Sequence, residues 1–206
     1  MLVWNYEAHE PELGQQIVLD KLLQLFDLAL AGRRRSEQLL NDANTDPLTG
    51  LGNRRSFDLA LAAAPNQDVA VIVLDLDGFK TVNDVFGHGA GDEVLRAIGK
   101  RVLAHVRHAD LVARLGGDEF AIVCLDVKSS DYLVPLAERL ISSVAAPVAT
   151  AKGNAVVGSS IGIARSTPEA PTPAHQLVEL ADHELYQAKQ AGKGQFSLTQ
   201  TTDADL

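Results

Sequence analysis

Cysteine is almost missing from this chain. Cys124 stands alone among 206 residues, so no intrachain disulfide can form, and no Cys/His set has zinc-ligand spacing. A reducing, cytoplasmic setting is the expectation. Basic residues are also scarce: 18 Lys and Arg face 27 Asp and Glu, a formal net charge of -9. Such a surface repels polyanions unless its basic residues are segregated, which argues against nucleic acid or an anionic membrane as a default partner. Long apolar runs are lacking too. The richest stretch, Leu22 to Ala31, is interrupted by Gln24 and Asp27 and falls far short of a bilayer span, and Met1 to Glu10 is acidic. Neither a signal peptide nor a transmembrane helix is expected. What is present, 46% apolar and 22% charged residues, suffices for one core of ordinary size plus some extra chain.

From Glu12 to Ala43 there is no proline and only Gly14 and Gly32, which reads as helix. Val18, Leu22, Leu25, Ala29, Gly32, Ser36, Leu39 and Ala43 follow steps of four and three, the spacing of a weak two-helix seam; a helix lying against its own domain fits equally well. Turn and cap chemistry at Asn44 to Gly50 then marks a boundary. The expected organisation is a helical segment over 1–43, a compact domain over 44–198 and a polar tail over 199–206. Within the domain, Val69 to Leu76 reads as a strand buried on both faces, Asp92 to Val106 as a helix, and Leu111 to Leu115 with Phe120 to Leu125 as a hairpin. Tyr132 to Val144 reads as helix, Ala155 to Ala164 as strand, Ala174 to Ala191 as helix and Gln195 to Leu198 as a short strand. The order implies an α/β or α+β fold with helices packed on a central sheet.

Acidic residues collect at two places. Asp75 and Asp77 lie two apart at the end of the buried strand and so start on one face. Together they either cap a turn or hold a hard cation through oxygen ligands. Asp118 and Glu119 follow the Gly116-Gly117 turn, at the mouth of the returning strand. If the hairpin lies beside the first strand, Asp118 comes near Asp75 and a two-carboxylate metal site results, as nucleotidyl transfer requires.

The stretch from Asp46 to about Phe196 resembles the GGDEF family of diguanylate cyclases. The motif stands intact at Gly116-Gly117-Asp118-Glu119-Phe120, and four further segments match in order. These are Asp46 to Leu51 with Asn53-Arg54-Arg55, Asp75 to Asp84, Gly87 to Asp92, and Ala181-Asp182 through Leu185-Tyr186 to Ala188-Lys189. The resemblance implies a palm-like domain with a five-stranded sheet, working as a homodimer in which each subunit holds one GTP and the pair closes cyclic di-GMP. It implies that Asp75, Asp118 and the backbone carbonyl of Leu76 ligate Mg²⁺ or Mn²⁺, with Glu119 completing the acidic cluster and helping to deprotonate the attacking hydroxyl. Asn83 and Asp92 would read guanine, whose donors a carboxylate accepts. Lys80, Lys189 and Lys193, with backbone amides of Gly78 and Phe79, would hold phosphates. Two positions depart from the family pattern. Gly78 replaces a larger side chain, and Lys193 replaces an arginine, exchanging a bidentate fork for a point charge.

Arg107-His108-Ala109-Asp110 has the Arg-x-x-Asp spacing, with five residues between it and Gly116, where product-inhibited members of the family carry an inhibitory site. Arginine grips phosphate and stacks on purines, so the pair suits cyclic di-GMP; Arg139 on the next helix is a candidate second contact. Other residues carry plainer expectations. Asp46 and Asn53 read as turn and packing determinants, Leu185 and Tyr186 as core, and His88 is assigned no chemistry. The alternative to an active, product-inhibited cyclase is a catalytically inactive module that senses GTP or cyclic di-GMP and acts through a partner.

Overall fold

The computed structural model describes residues 21, 24–33, 35, 43–64 and 68–200. The chain forms two units, Met1–Ala43 and Asn44–Leu206. In the first, residues 24–33 are helical and Leu25, Phe26 and Leu28 are exposed. Of the expected seam, Val18, Leu22, Ser36 and Leu39 lie outside the described residues.

In the second unit, β1 (Val69–Asp77), β2 (Leu111–Gly116), β3 (Glu119–Leu125), β6 (Gly158–Ser166) and β7 (Phe196–Gln200) make a five-stranded sheet in the order β2-β3-β1-β6-β7. All its pairings are antiparallel except β6 with β7. A separate hairpin pairs β4 (Val148–Thr150) with β5 (Gly153–Ala155). Five helices surround the sheet: α1 (Arg54–Ala62), α2 (Phe79–Phe86), α3 (His88–His105), α4 (Ser130–Ala145) and α5 (Ala174–Gln190).

The period of β1 explains both cores. Ala70, Ile72, Leu74 and Leu76 join Phe79, Ile98, Leu133 and Leu136 from α2, α3 and α4 on one face of the sheet. Val69, Val71 and Val73 meet Phe57 of α1 and Leu177, Ala181 and Leu185 of α5 on the other. Burying each large aliphatic side chain contributes roughly 1.5–3 kcal/mol, so a strand covered on both faces admits acids only where it leaves the sheet. Strand alternation places Asp75 and Asp77 on the α1/α5 face.

Several expected boundaries shift. The glycine-rich stretch before Asp92 is already helical, and α3 begins at His88. Glycine there permits close approach: a Cβ on Gly91 would fall 2.0 Å from Oδ1 of Asn83, and one on Gly99 would fall 3.1 Å from Leu51 Cδ1. The expected strand from Ala155 divides, Ala155 ending the small hairpin and Gly158 opening β6. Thr199 and Gln200, expected in the tail, pair with Ala164 and Arg165 as the end of β7. Tyr186 is not core but 57% exposed, because one residue's step along α5 turns it away from buried Leu185.

Candidate active site

The site begins where β1 and β3 run side by side. Asp75 is the register partner of Glu119, and the amide of Leu76 donates to the carbonyl of Asp118 at 3.3 Å. The hairpin therefore does lie beside the first strand, and Asp75, Asp118 and Glu119 all stand at one end of the sheet. Burial raises the Asp118 carboxyl above its ordinary value, and the neighbouring Asp75 charge adds to that; its own backbone amide, Lys189 and Arg114 pull the other way. Lys189, reaching back from the last turn of α5, places Nζ 2.9 Å from Asp75 Oδ2. The lysine expected to grip phosphate is thus paired with a carboxylate expected to grip metal.

Arg114 sets the hairpin's shape. Its Nε and Nη2 donate to the carbonyl of Gly117 at 3.0 and 2.7 Å, while Nη1 reaches both carboxylate oxygens of Asp46 at 3.3 and 3.2 Å. Asp46 in turn accepts from the amide and hydroxyl of Thr49 at 2.9 and 2.6 Å. Burial opposes ionisation of Asp46, but Thr49 and Arg114 outweigh it and hold the carboxyl below its ordinary value. Asp46 is therefore more than a turn determinant: it clamps the turn that carries Asp118. Asn53 keeps the plainer role, capping α1 through Ser56.

The residues expected to hold phosphate and to read the base begin at the turn after β1. Gly78 adopts φ 82°, a left-handed conformation that costs glycine little, and caps α2, whose first amides have no carbonyl one turn before them. Lys80 is exposed in the first turn of that helix. Asn83 and Asp92 are half-buried, and Gly91, the neighbour of Asp92, lies against the Asn83 amide. The residues expected to read guanine thus stand on either side of the α2–α3 junction, with Gly91 between them. Lys193 is exposed and has φ 65°, in the turn between α5 and β7. A groove of about 260 Å³ opens between α1 and α5, floored by Val73 and Leu115 and flanked by Glu119, Lys189, Asp182 and Tyr186.

Among the described residues no set of three or more His, Cys, Asp or Glu side chains is assembled as a ready metal cage. The donors nevertheless fit a hard divalent cation. They are carboxylate oxygens on adjacent strands, Asp118 is raised first by burial and further by the Asp75 charge, and a cationic ammonium already rests against Asp75.

Away from this end, Arg107 and Asp110 form a closed turn: the Arg107 amide donates to Asp110 Oδ2 at 3.0 Å and the Asp110 amide to the Arg107 carbonyl at 3.0 Å. Sequence reasoning missed Tyr132, whose hydroxyl donates to Asp110 Oδ2 at 2.8 Å and whose ring lies 3.5 Å from the Arg107 guanidinium carbon. Arg139 is exposed two helical turns beyond Tyr132 on α4.

Comparison with known proteins supplies the family. The family model described as "Diguanylate cyclase, GGDEF domain" matches residues 43–195. Diguanylate cyclase TpbB of Pseudomonas aeruginosa is 39% identical over 172 residues, covering 80% of this chain and 39% of that protein. Cyclic di-GMP phosphodiesterase PdeR of Escherichia coli is 38% identical over 168 residues, covering 80% of this chain and 25% of that protein. The chain thus spans only a quarter to two fifths of these curated relatives. Among solved structures, the coiled coil and GGDEF domain of DgcB from Caulobacter crescentus, in complex with c-di-GMP, superposes with a TM-score of 0.78 at 28% identity, covering 88% of this chain and 99% of that one. With the motif closing the β2–β3 hairpin beside the Asp75 strand, and a family match that runs through every element from α1 to α5, this chain belongs to the GGDEF family of diguanylate cyclases.

Proposed function

We propose that this chain condenses two molecules of GTP into cyclic di-GMP and two pyrophosphates as a homodimer. The observation that carries the reading is the cross-strand pairing of Asp75 with Glu119, with Asp118 at the adjoining turn. A module that had lost catalysis would have no need to keep Asp118 where burial and the Asp75 charge both oppose its ionisation.

Each subunit holds one GTP. Asn83 and Asp92 accept from the guanine edge and so discriminate against adenine. Lys80, Lys193 and the amides at the start of α2 hold the β- and γ-phosphates. The 3′-hydroxyl oxygen of one GTP bonds to the α-phosphorus of the other, the bond from that phosphorus to the bridging oxygen breaks, and pyrophosphate leaves; Glu119 accepts the hydroxyl proton. Asp75, Asp118 and the Leu76 carbonyl would hold Mg²⁺ or Mn²⁺, which supplies charge neutralisation at the triphosphate and acidifies the attacking hydroxyl. Lys189 exchanges Asp75 for phosphate as substrate arrives. Arg107 and Asp110 take up cyclic di-GMP as an inhibitor, with Arg139 as a further contact, and the segment over 1–43 supports pairing of the subunits.

PdeR bears the name of a phosphodiesterase, so kinship alone leaves room for a sensing module without turnover. Incubating the protein with GTP and Mg²⁺ and separating the products by chromatography decides between them. Cyclic di-GMP is expected, and Asp118→Asn should reduce its formation at least about a hundredfold. No product across a wide range of protein concentration, after removal of bound nucleotide, would leave the sensing module; an Asp118→Asn variant as active as the parent would remove the metal assignment.

A further inference from the structure

The second acid at the end of β1 is not used by the reaction just described. Asp77 shares the face of Asp75, yet its contacts differ: Oδ2 accepts from the Ser160 hydroxyl at 2.8 Å and from the Gly194 amide at 3.3 Å. Ser160 is fully buried in β6, and Gly158, the register partner of Asp77, packs against the side chain, since a Cβ there would lie 3.3 Å from that of Asp77. With Oδ2 engaged by two donors, Asp77 is poorly placed to serve as another cation ligand. Its other oxygen, Oδ1, is buried without a hydrogen-bond partner. A carboxylate in such a place is costly, which asks for a return elsewhere.

That return lies in the turn it holds. Gly192, Lys193 and Gly194 have φ of 125°, 65° and 61°, three successive residues in positive-φ conformations. Lysine, unlike its glycine neighbours, resists that geometry. The turn is pinned to α5 by the Lys193 amide on the Ala188 carbonyl at 3.2 Å, and to β1 by the Gly194 amide on Asp77. Among the described residues, the ion pair that ties this end of α5 to β1 is Lys189 with Asp75, which substrate is expected to break. The tie through Asp77 uses a backbone amide and survives.

We infer that Asp77 is a positioning residue for the triphosphate: it fastens the α5–β7 turn to the sheet and thereby fixes where the Lys193 ammonium stands. This rests on the reading of Lys193 as a phosphate-holding group.

The experiment measures KM and kcat for GTP in Asp77→Ala, Asp77→Asn, Lys193→Ala and the Asp77→Ala/Lys193→Ala double variant. The equilibrium Kd for GTP is measured beside them, so that a protein without turnover still gives an answer. Asp77→Ala should raise KM and Kd about tenfold with kcat within about twofold. Asp77→Asn, which keeps an oxygen to accept from Gly194, should recover most of the loss. In the Lys193→Ala background, removing Asp77 should add little, because the group it positions is gone. Full additivity in the double variant, or a fall in kcat with KM and Kd unchanged, would overturn the inference while leaving the phosphate role of Lys193 standing. If Lys193→Ala alone leaves GTP binding intact, the phosphate reading fails and the inference falls with it. Should Asp77→Ala not fold, Ser160→Ala replaces it: removing one donor should raise KM about threefold, and an unchanged KM counts against the tether.

Discussion

Tyr132 joins the two halves of the Arg107–Asp110 turn. Its hydroxyl is a donor to a carboxylate that is only 8% exposed and whose Oδ1 has no partner, and its ring lies beneath the guanidinium. Burial, with the hydrogen bond to Asp110 next, pushes the phenol above its ordinary value of 10.0. A raised pKa means that the folded state keeps the proton better than the unfolded chain does. The contribution is complete below pH 10 and is lost as pH rises through the higher folded value. Tyr132→Phe should therefore lower unfolding free energy at neutral pH by about 1.5–3 kcal/mol, the loss of one hydrogen bond to a charged acceptor, with the Arg107 amide still on Asp110 Oδ2. It should also flatten the decline in stability above pH 10, both read from denaturant titrations across pH. Because Phe keeps the ring under Arg107, inhibition by added cyclic di-GMP should survive this change, whereas Arg107→Ala should abolish it. The motif residues were legible because they fall in short contiguous runs, such as Asp75 to Asp84 and Gly116 to Phe120. Tyr132 lies 22 positions from Asp110 and Asp46 lies 68 from Arg114; no local spacing announces such contacts, which arise only when α4 and the Asn44 turn dock on the sheet.

At the level of elements, periodicity works where an element is long enough to show it. β1 and the cores of α3, α4 and α5 stand out as runs or stripes, but α1 with 9 residues, α2 with 8 and the three-residue strands β4 and β5 do not complete enough periods. Glycine misleads in a second way. Gly162 looks like a weak point in a strand, yet it is where α5 meets the sheet: a Cβ there would come within 2.0 Å of the Ala181 carbonyl oxygen and 2.2 Å of the Leu185 amide nitrogen. These are backbone atoms and cannot turn aside, so Gly162→Ala must push α5 off β6. Overpacking of this kind costs about 3 kcal/mol or more, or roughly 6–12 °C in Tm for a domain of this size. Since Lys189 rides on the same helix, the folded fraction should also bind GTP less well. A variant with the parent's melting curve would show that α5 is not seated as described.

The chain as a whole carries a charge of -9, and the proposed reaction needs two copies face to face around two triphosphates. Locally the conflict is already answered: Lys189 sits on Asp75, and Lys80 and Lys193 stand exposed near the same end of the sheet. Between whole molecules it is not answered, because like net charges repel over distances of a Debye length, about 30 Å at 0.01 M salt and about 8 Å at 0.15 M. Turnover per subunit should accordingly fall in proportion to protein concentration once the dimer dissociates. In that dilute regime, with GTP held saturating, it should rise as salt increases from about 0.01 to about 0.15 M. The opposite trend would mean that complementary patches, not net charge, govern the encounter. Leu25, Phe26 and Leu28, each more than half exposed on the helix over 24–33, suit the segment before Asn44 to offset this repulsion by apolar pairing. Removing residues 1–40 should then shift the dilution curve to higher protein concentration by an order of magnitude or more while leaving activity at saturating protein nearly unchanged, as read by sedimentation and turnover together. An unshifted curve would assign pairing to the catalytic domain alone.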